Sequence, residues 1–260
     1  MQEIIKVKNS SYGRYEELLL RRDAIKKEGY QLEIGYAREF GELIIAVFEE
    51  QIKCVKKKKT IEFCQAAANR GKTVNQAELQ SFVERETEKL KNNLDDMIQD
   101  YETSKAAIRI TEADKIKIKQ LYHKMVKQIH PDINPMVEDS EELKSIWQRT
   151  VIAYNCNDLK LLQELEVLMS KALESITNGQ IEIEIPDIED KIAELEKEIR
   201  EIMETDPYQY KFLLGDKDAV AEKKQSLEEE LKQYKDYGEQ LDELLNGLLS
   251  NGVSITWEMN

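Results

Sequence analysis

The sequence predicts an all-α fold built from long helices, and three observations carry that expectation. Its 260 residues include only 10 Gly and 4 Pro, too few turn-formers for a β-sandwich. Hydrophobic residues make up 41% and charged ones 35%, which suits narrow buried stripes rather than one large core. The apolar positions recur at spacings of three and four, the period of a helix face.

Taken in order, residues 3–8 read as a short strand. From Tyr12 to about Lys59, Leu18, Ile25, Leu32, Tyr36 and Leu43 lie near heptad spacing. Gly29, Gly35 and Gly41 interrupt this run and predict a break, or a close approach of another element, at one of them. A second helical stretch should stop near Asn69-Arg70-Gly71, where glycine suits a helix C-terminus. Asn75, with Glu78 three residues on, reads as the N-cap of a helix carrying Leu79, Val83, Leu90, Leu94, Met97 and Tyr101. Two long helices joined by a short turn are expected to pack antiparallel, giving an N-terminal hairpin region over residues 1–105.

A middle segment, residues 106–175, reads differently. Thr111 caps a helix whose buried stripe is Ile118, Leu121, Tyr122, Met125 and Ile129. The helix must end at His130-Pro131, because proline removes a donor and forces its predecessor towards extended backbone. Ser140 then caps a helix holding Leu143, Trp147, Val151, Tyr154, Leu161 and Leu165. In the last segment, 176–260, Ile188, Ile192, Leu195, Ile199 and Ile202 keep a four-three rhythm. After Asp206-Pro207 and Gly215-Asp216 a second run carries Val220, Leu227, Leu231, Tyr234, Leu241, Leu245 and Leu248. These runs predict an acidic antiparallel coiled-coil hairpin, and the alternating segments 181–185 and 253–257 are expected to pair as a small β-ribbon at its base. Exposed stripes of this kind serve pairing within one chain or between two copies, so a homodimer stays open.

Charge and composition narrow the functional classes. Acidic residues outnumber basic ones 52 to 38, and residues 186–245 alone hold 19 acidic and 9 basic. A chain of net charge −14 is a poor general nucleic-acid binder. Lys53 and the run Lys56, Lys57, Lys58, Lys59 form a basic cluster outside the middle segment, and lysines near a helix C-terminus are also favoured by the macrodipole. No stretch is apolar for the ~18 residues a membrane span needs, and the N-terminus has no apolar signal region. Cys54, Cys64 and Cys156 fit a reducing compartment, so a cytoplasmic location is expected. Two histidines, His123 and His130, exclude a His-rich metal site, and no metal or cofactor constellation is visible. Gly71-Lys72-Thr73 imitates the end of a phosphate loop, but Ala66 stands where its first glycine belongs. No nucleophile and base are indicated, so the chain is not expected to be an enzyme.

The middle segment carries a resemblance. Lys115, Lys117, Lys119, Lys124 and Lys127 make a basic helix in an acidic chain, and it ends in His130-Pro131-Asp132 with Asn134 behind. With Tyr122 eight residues upstream of the tripeptide, Met125 between, and Trp147 and Ala153-Tyr154 beyond, the stretch resembles helices II and III and the signature loop of a J-domain. The likeness covers about residues 111–160. It implies a co-chaperone that docks on a DnaK-type heat-shock chaperone and stimulates its ATPase. Lys119, Lys124 and Lys127 would then face that partner's acidic surface, His130, Pro131 and Asp132 would form the trigger loop, and Asn134 would support it. Tyr122, Met125, Trp147 and Tyr154 would hold the two helices together. The family's first helix is not recognisable upstream, and the helix at 75–105 is expected to take its packing place. There is no Gly/Phe-rich stretch, Cys-x-x-Cys zinc module or β-rich client domain, which leaves the helical hairpins to select a client or location. The alternative is a structural adaptor that retains the J-like scaffold without chaperone coupling.

Overall fold

The computed structural model describes residues 5–106, 110–176, 181–250 and 255–256. The architecture is all-α, with two minimal strand pairs. In chain order the elements are β1 (Ile5–Val7), α1 (Tyr12–Asn69), β2 (Val74–Asn75), α2 (Gln76–Ala106), α3 (Glu112–Ile129) and α4 (Met136–Asp139). There follow α5 (Glu141–Asn155), α6 (Leu159–Ile176), β3 (Ile181–Ile183), α7 (Ile188–Glu204), α8 (Tyr210–Gly215), α9 (Lys217–Ser250) and β4 (Ile255–Thr256). The chain divides into two compact units: Met1–Glu33 with Ala107–Lys211, and Ile34–Ala106 with Phe212–Asn260.

In the first unit the opening turns of α1 supply Tyr15, Leu18, Leu19 and Ile25 to a core shared with α3, α5, α6 and α7. The helix at 75–105 was expected in that place. The first part of α1 holds it instead, while α2 belongs to the second unit. Both stretches are amphipathic, and an apolar stripe does not specify which surface covers it. Thr111 and Ser140 cap α3 and α5 as the sequence predicts, with Asp114 N–H donating to Thr111 Oγ1 at 3.1 Å and Leu143 N–H to Ser140 Oγ at 3.3 Å. The single helix expected from Ser140 through Leu165 is two: α5 ends at Asn155, Asn157 turns the chain at φ 59°, and Leu161 and Leu165 belong to α6.

The second unit packs the rest of α1 against α2 and α9. Phe40, Val47 and Leu227 form one buried cluster, and Cys54, Ile61 and Leu241 another. The α1 to α2 turn follows the sequence expectation. Gly71, at φ +64°, lets Lys72 N–H reach Ala67 O and Gly71 N–H reach Ala68 O, both at 3.0 Å. Asn75 Oδ1 then accepts from Ala77 and Glu78 N–H, at 2.8 and 3.2 Å.

Two tertiary expectations are corrected. The runs 188–202 and 220–248 do not make one coiled-coil hairpin core. Ile188, Leu195 and Ile199 enter the first unit's core, and Leu227 and Leu241 enter clusters of the second, in each case beside residues of α1. The predicted ribbon between 181–185 and 253–257 is likewise absent among the described residues. Ile181–Ile183 pairs in parallel with Ile5–Val7, and Ile255–Thr256 in parallel with Val74–Asn75. Residues 253, 254 and 257 lie outside the described residues.

α1 is unbroken through its three glycines, so close approach is the alternative that holds. A Cβ on Gly41 would lie 2.6 Å from Tyr101 Cδ2 and 3.2 Å from its Cγ. Those are ring atoms close to the backbone, which leaves little room to give. Gly41→Ala is therefore expected to destabilise the second unit by about 1–3 kcal/mol, even though alanine is intrinsically better in a helix by about 1 kcal/mol. Gly13→Ala, with nothing within 4 Å of its Cβ, should be neutral or stabilising. Thermal unfolding of both variants checks the pair, and a Gly41→Ala midpoint at or above wild type would refute the packing argument.

Candidate functional site

The candidate site lies wholly in the first unit, around the loop between α3 and α4. The loop is built by proline and asparagine. Pro131 holds His130 extended at φ −70°, ψ 128°, while His130 N–H still closes the last helical bond to Val126 O at 3.0 Å. The chain then turns tightly, with Ile133 and Asn134 N–H donating to His130 O at 2.9 and 2.8 Å. Asn134 is fully buried. Its Nδ2 donates to Gln128 O at 2.9 Å and its Oδ1 accepts from Met136 N–H at 3.1 Å. One side chain thus satisfies a terminal carbonyl of α3 and an opening amide of α4.

Behind the loop stands a column of rings. Tyr122 stacks on Tyr154 with centroids 3.8 Å apart and planes at 11°, and lies 6.0 Å from Trp147. Trp147 meets His130 edge-on at 4.8 Å. Lys27 lies 3.9 Å over the far face of Tyr154, and burial pushes its ammonium down to about 8. Met125 is fully buried and takes the Thr150 hydroxyl on its sulfur at 3.9 Å. Tyr122, Met125, Trp147 and Tyr154 therefore join α3 to α5.

Arg22 and Asp23, on α1, complete the site and were not singled out by sequence reasoning. Asp23 is buried. It accepts from Arg22 Nε and Nη2 at 3.1 and 3.0 Å on Oδ1, and from Tyr122 Oη at 2.8 Å on Oδ2. Arg22 also reaches His130 Nε2 at 3.3 Å, Glu198 Oε2 at 3.7 Å and Asp132 Oδ2 at 4.0 Å. Burial pushes the Glu198 carboxyl up, but the hydrogen bond from Lys26 and the charge of Arg22 outweigh it and hold the group below its usual range. One signal was available: Asp23 falls one turn after Leu19, on the stripe of Leu18, Leu19 and Ile25 that the helix buries. Nothing in a one-dimensional pattern ties residue 22 to residue 130.

His130 is 3% exposed. Burial lowers its imidazole to about 4, and nearby Arg22 adds to that against the opposing charges of Asp132 and Asp23. The ring is therefore neutral at pH 7, with one acceptor nitrogen. Both nitrogens face donors, Asp132 N–H at 3.1 Å from Nδ1 and Arg22 Nη2 at 3.3 Å from Nε2. Only one of these contacts is a good hydrogen bond at a time. Pro131 is half-buried, and the Asp132 side chain keeps 42% of its surface exposed.

The three lysines assigned to docking are placed differently from one another. Lys119 is exposed. Lys124 pairs with Glu166 of α6, and Lys127 with Glu16 of α1 at 3.3 Å. In the second unit the run Lys56, Lys57, Lys58, Lys59 sits inside α1, ten residues before its end, so the macrodipole does not account for it. Lys57 pairs with Asp242, and Lys59 with Glu62 and Glu86. Gly71-Lys72-Thr73 follows the C-terminus of helix α1, whereas a phosphate loop follows a β-strand.

No family model, curated protein or solved structure significantly matches this chain. Among the described residues no group of His, Cys, Asp and Glu side chains is arranged to hold a metal ion, and no helix is long and apolar enough to cross a membrane.

Proposed function

We propose that this protein is a J-domain-type co-chaperone that docks on a DnaK-type heat-shock chaperone in the cytoplasm and stimulates its ATPase, itself catalysing nothing. The observation that carries the reading is the loop after the basic helix α3. It is fixed from behind by buried Asn134 and His130, and it turns the Asp132 carboxylate towards solvent. A rigid loop presenting one acceptor carboxylate is suited to reorganising a partner's polar network, because no ordering is needed at the moment of contact. Exposed Lys119 adds steering towards an acidic surface, which weakens with salt. The helices of the second unit would select the client or location.

His130→Gln is expected to abolish stimulation of single-turnover ATP hydrolysis by the host's DnaK-type chaperone, a loss of about tenfold or more. Undiminished stimulation by a folded His130→Gln protein would remove the mechanism. A structural adaptor with a J-like scaffold is the second reading, and the ion pairs of Lys124 with Glu166 and Lys127 with Glu16 favour it. Salt-sensitive retention of ATP-loaded chaperone on the immobilised protein supports the first reading, and absence of retention supports the second.

A further inference from the structure

Four intramolecular contacts converge on the face that the co-chaperone reading assigns to the partner. Arg22 approaches Asp132 Oδ2 at 4.0 Å and His130 Nε2 at 3.3 Å, while Glu166 and Glu16 engage Lys124 and Lys127. We propose that this face is self-occupied, with Arg22 as a releasable latch that ties the loop to α1 and α7. The proposal rests on the co-chaperone reading and adds a mode of regulation to it.

The contacts of Arg22 fall into a firm set and a loose set. Towards Asp23 the guanidinium makes two hydrogen bonds of 3.0 and 3.1 Å on a buried carboxylate, which Tyr122 Oη also holds. That end is an anchor. Towards the loop it makes a long ion pair with a carboxylate 42% exposed, and faces an imidazole whose other nitrogen already has a donor. Long, partly exposed ion pairs are weak, and a neutral ring between two donors satisfies one of them. The loop end therefore yields first, leaving the anchor intact.

There is also room for the release. One cavity of about 330 Å³ is lined by Arg22, Lys26, His130, Asp132, Trp147 and Tyr154. A second, of about 390 Å³, is lined by Tyr15, Arg22, Asp132, Glu194, Glu198 and Glu201. Arg22 and Asp132 line both, so parting them joins the two spaces into one groove beside the loop without disturbing the ring column. A partner that must first part them binds with an affinity reduced by the fraction of molecules already open.

Two measurements on the full chain separate the latch from the reading beneath it. The first is amide hydrogen exchange of the free protein, wild type against Asp132→Asn, which removes the loop end of the latch and leaves Arg22 on Asp23. Exchange at Ile133 and Asn134 should rise roughly threefold while α5 and α6 stay protected, and unchanged exchange there would overturn the latch. The second is single-turnover stimulation of the DnaK-type chaperone. Arg22→Gln should lower the half-maximal concentration by roughly fivefold or more. Glu16→Gln, which removes one carboxylate partner of Lys127 and leaves Arg22 in place, should lower it by about twofold. Stimulation by wild type with no gain in either variant overturns the latch and leaves the co-chaperone reading standing. Faster loop exchange with no stimulation by any of the proteins supports the latch as a contact and overturns the co-chaperone reading.

Discussion

Tyr122→Ala is expected to destabilise the first unit by about 4–5 kcal/mol, the upper range for truncating a buried aromatic. Three losses combine. The ring is 2% exposed, so its removal leaves a cavity between α3 and α5. Tyr154 loses its stacking partner at 3.8 Å, and with it the rigidity of the surface under Lys27. Asp23 loses the donor on Oδ2 and keeps only Arg22 on a buried carboxylate. Tyr122→Phe avoids the first two losses and suffers only the third, at a cost of about 1–2 kcal/mol. Denaturant unfolding followed by Trp147 fluorescence, in a Trp257→Phe background, reads this unit alone. Equal effects of the two substitutions would show that the Asp23 hydrogen bond, and not the ring packing, holds the helices together.

Acidification gives the second large effect. The His130 imidazole titrates at about 4 in the folded protein and near 6.5 when exposed. Below pH 6.5 the unfolded chain therefore binds a proton that the folded one refuses. Stability falls as the pH drops from about 6.5 to about 4 and levels off beneath, with a span of up to roughly 3 kcal/mol. The groups that set this are Arg22 and Asp23 of α1, Asp132 of the loop and the edge-on ring of Trp147 of α5. Acidification acts on many groups at once, so the informative quantity is the difference between wild type and His130→Gln. That difference should change with pH between 6.5 and 4 and be flat above 7. Parallel curves throughout would mean that the imidazole is solvated in the native state.

Local structure was legible in the sequence wherever short-range chemistry decides it. Thr111, Ser140 and Asn75 cap the helices they were expected to cap, and Gly71 ends α1, because a cap needs only a side chain and an amide two or three residues away. Pro131 stops α3 for an equally local reason. The end of α1 was also marked, but its continuity was not. Three glycines left a break and a close approach both open, and at Gly41 the missing Cβ makes room for Tyr101, sixty residues on.

What the sequence by itself determined is the all-α class, the capped helix starts at Asn75, Thr111 and Ser140, and the stop of α3 before Pro131. Periodicity and capping report a residue's relation to its own helix, and these features depend on little else. The tertiary structure alone decided the partners of each stripe. It sent α7 and α9 to different cores, paired residues 5–7 with 181–183, and set the first turns of α1 beside α3. It also decided that Lys124 and Lys127 meet carboxylates of their own chain, and that Arg22 sits on the loop. A stripe or an exposed charge records the need for a complementary surface, and several surfaces of one chain can supply it. Which one does so is settled only when all of them compete at once in three dimensions.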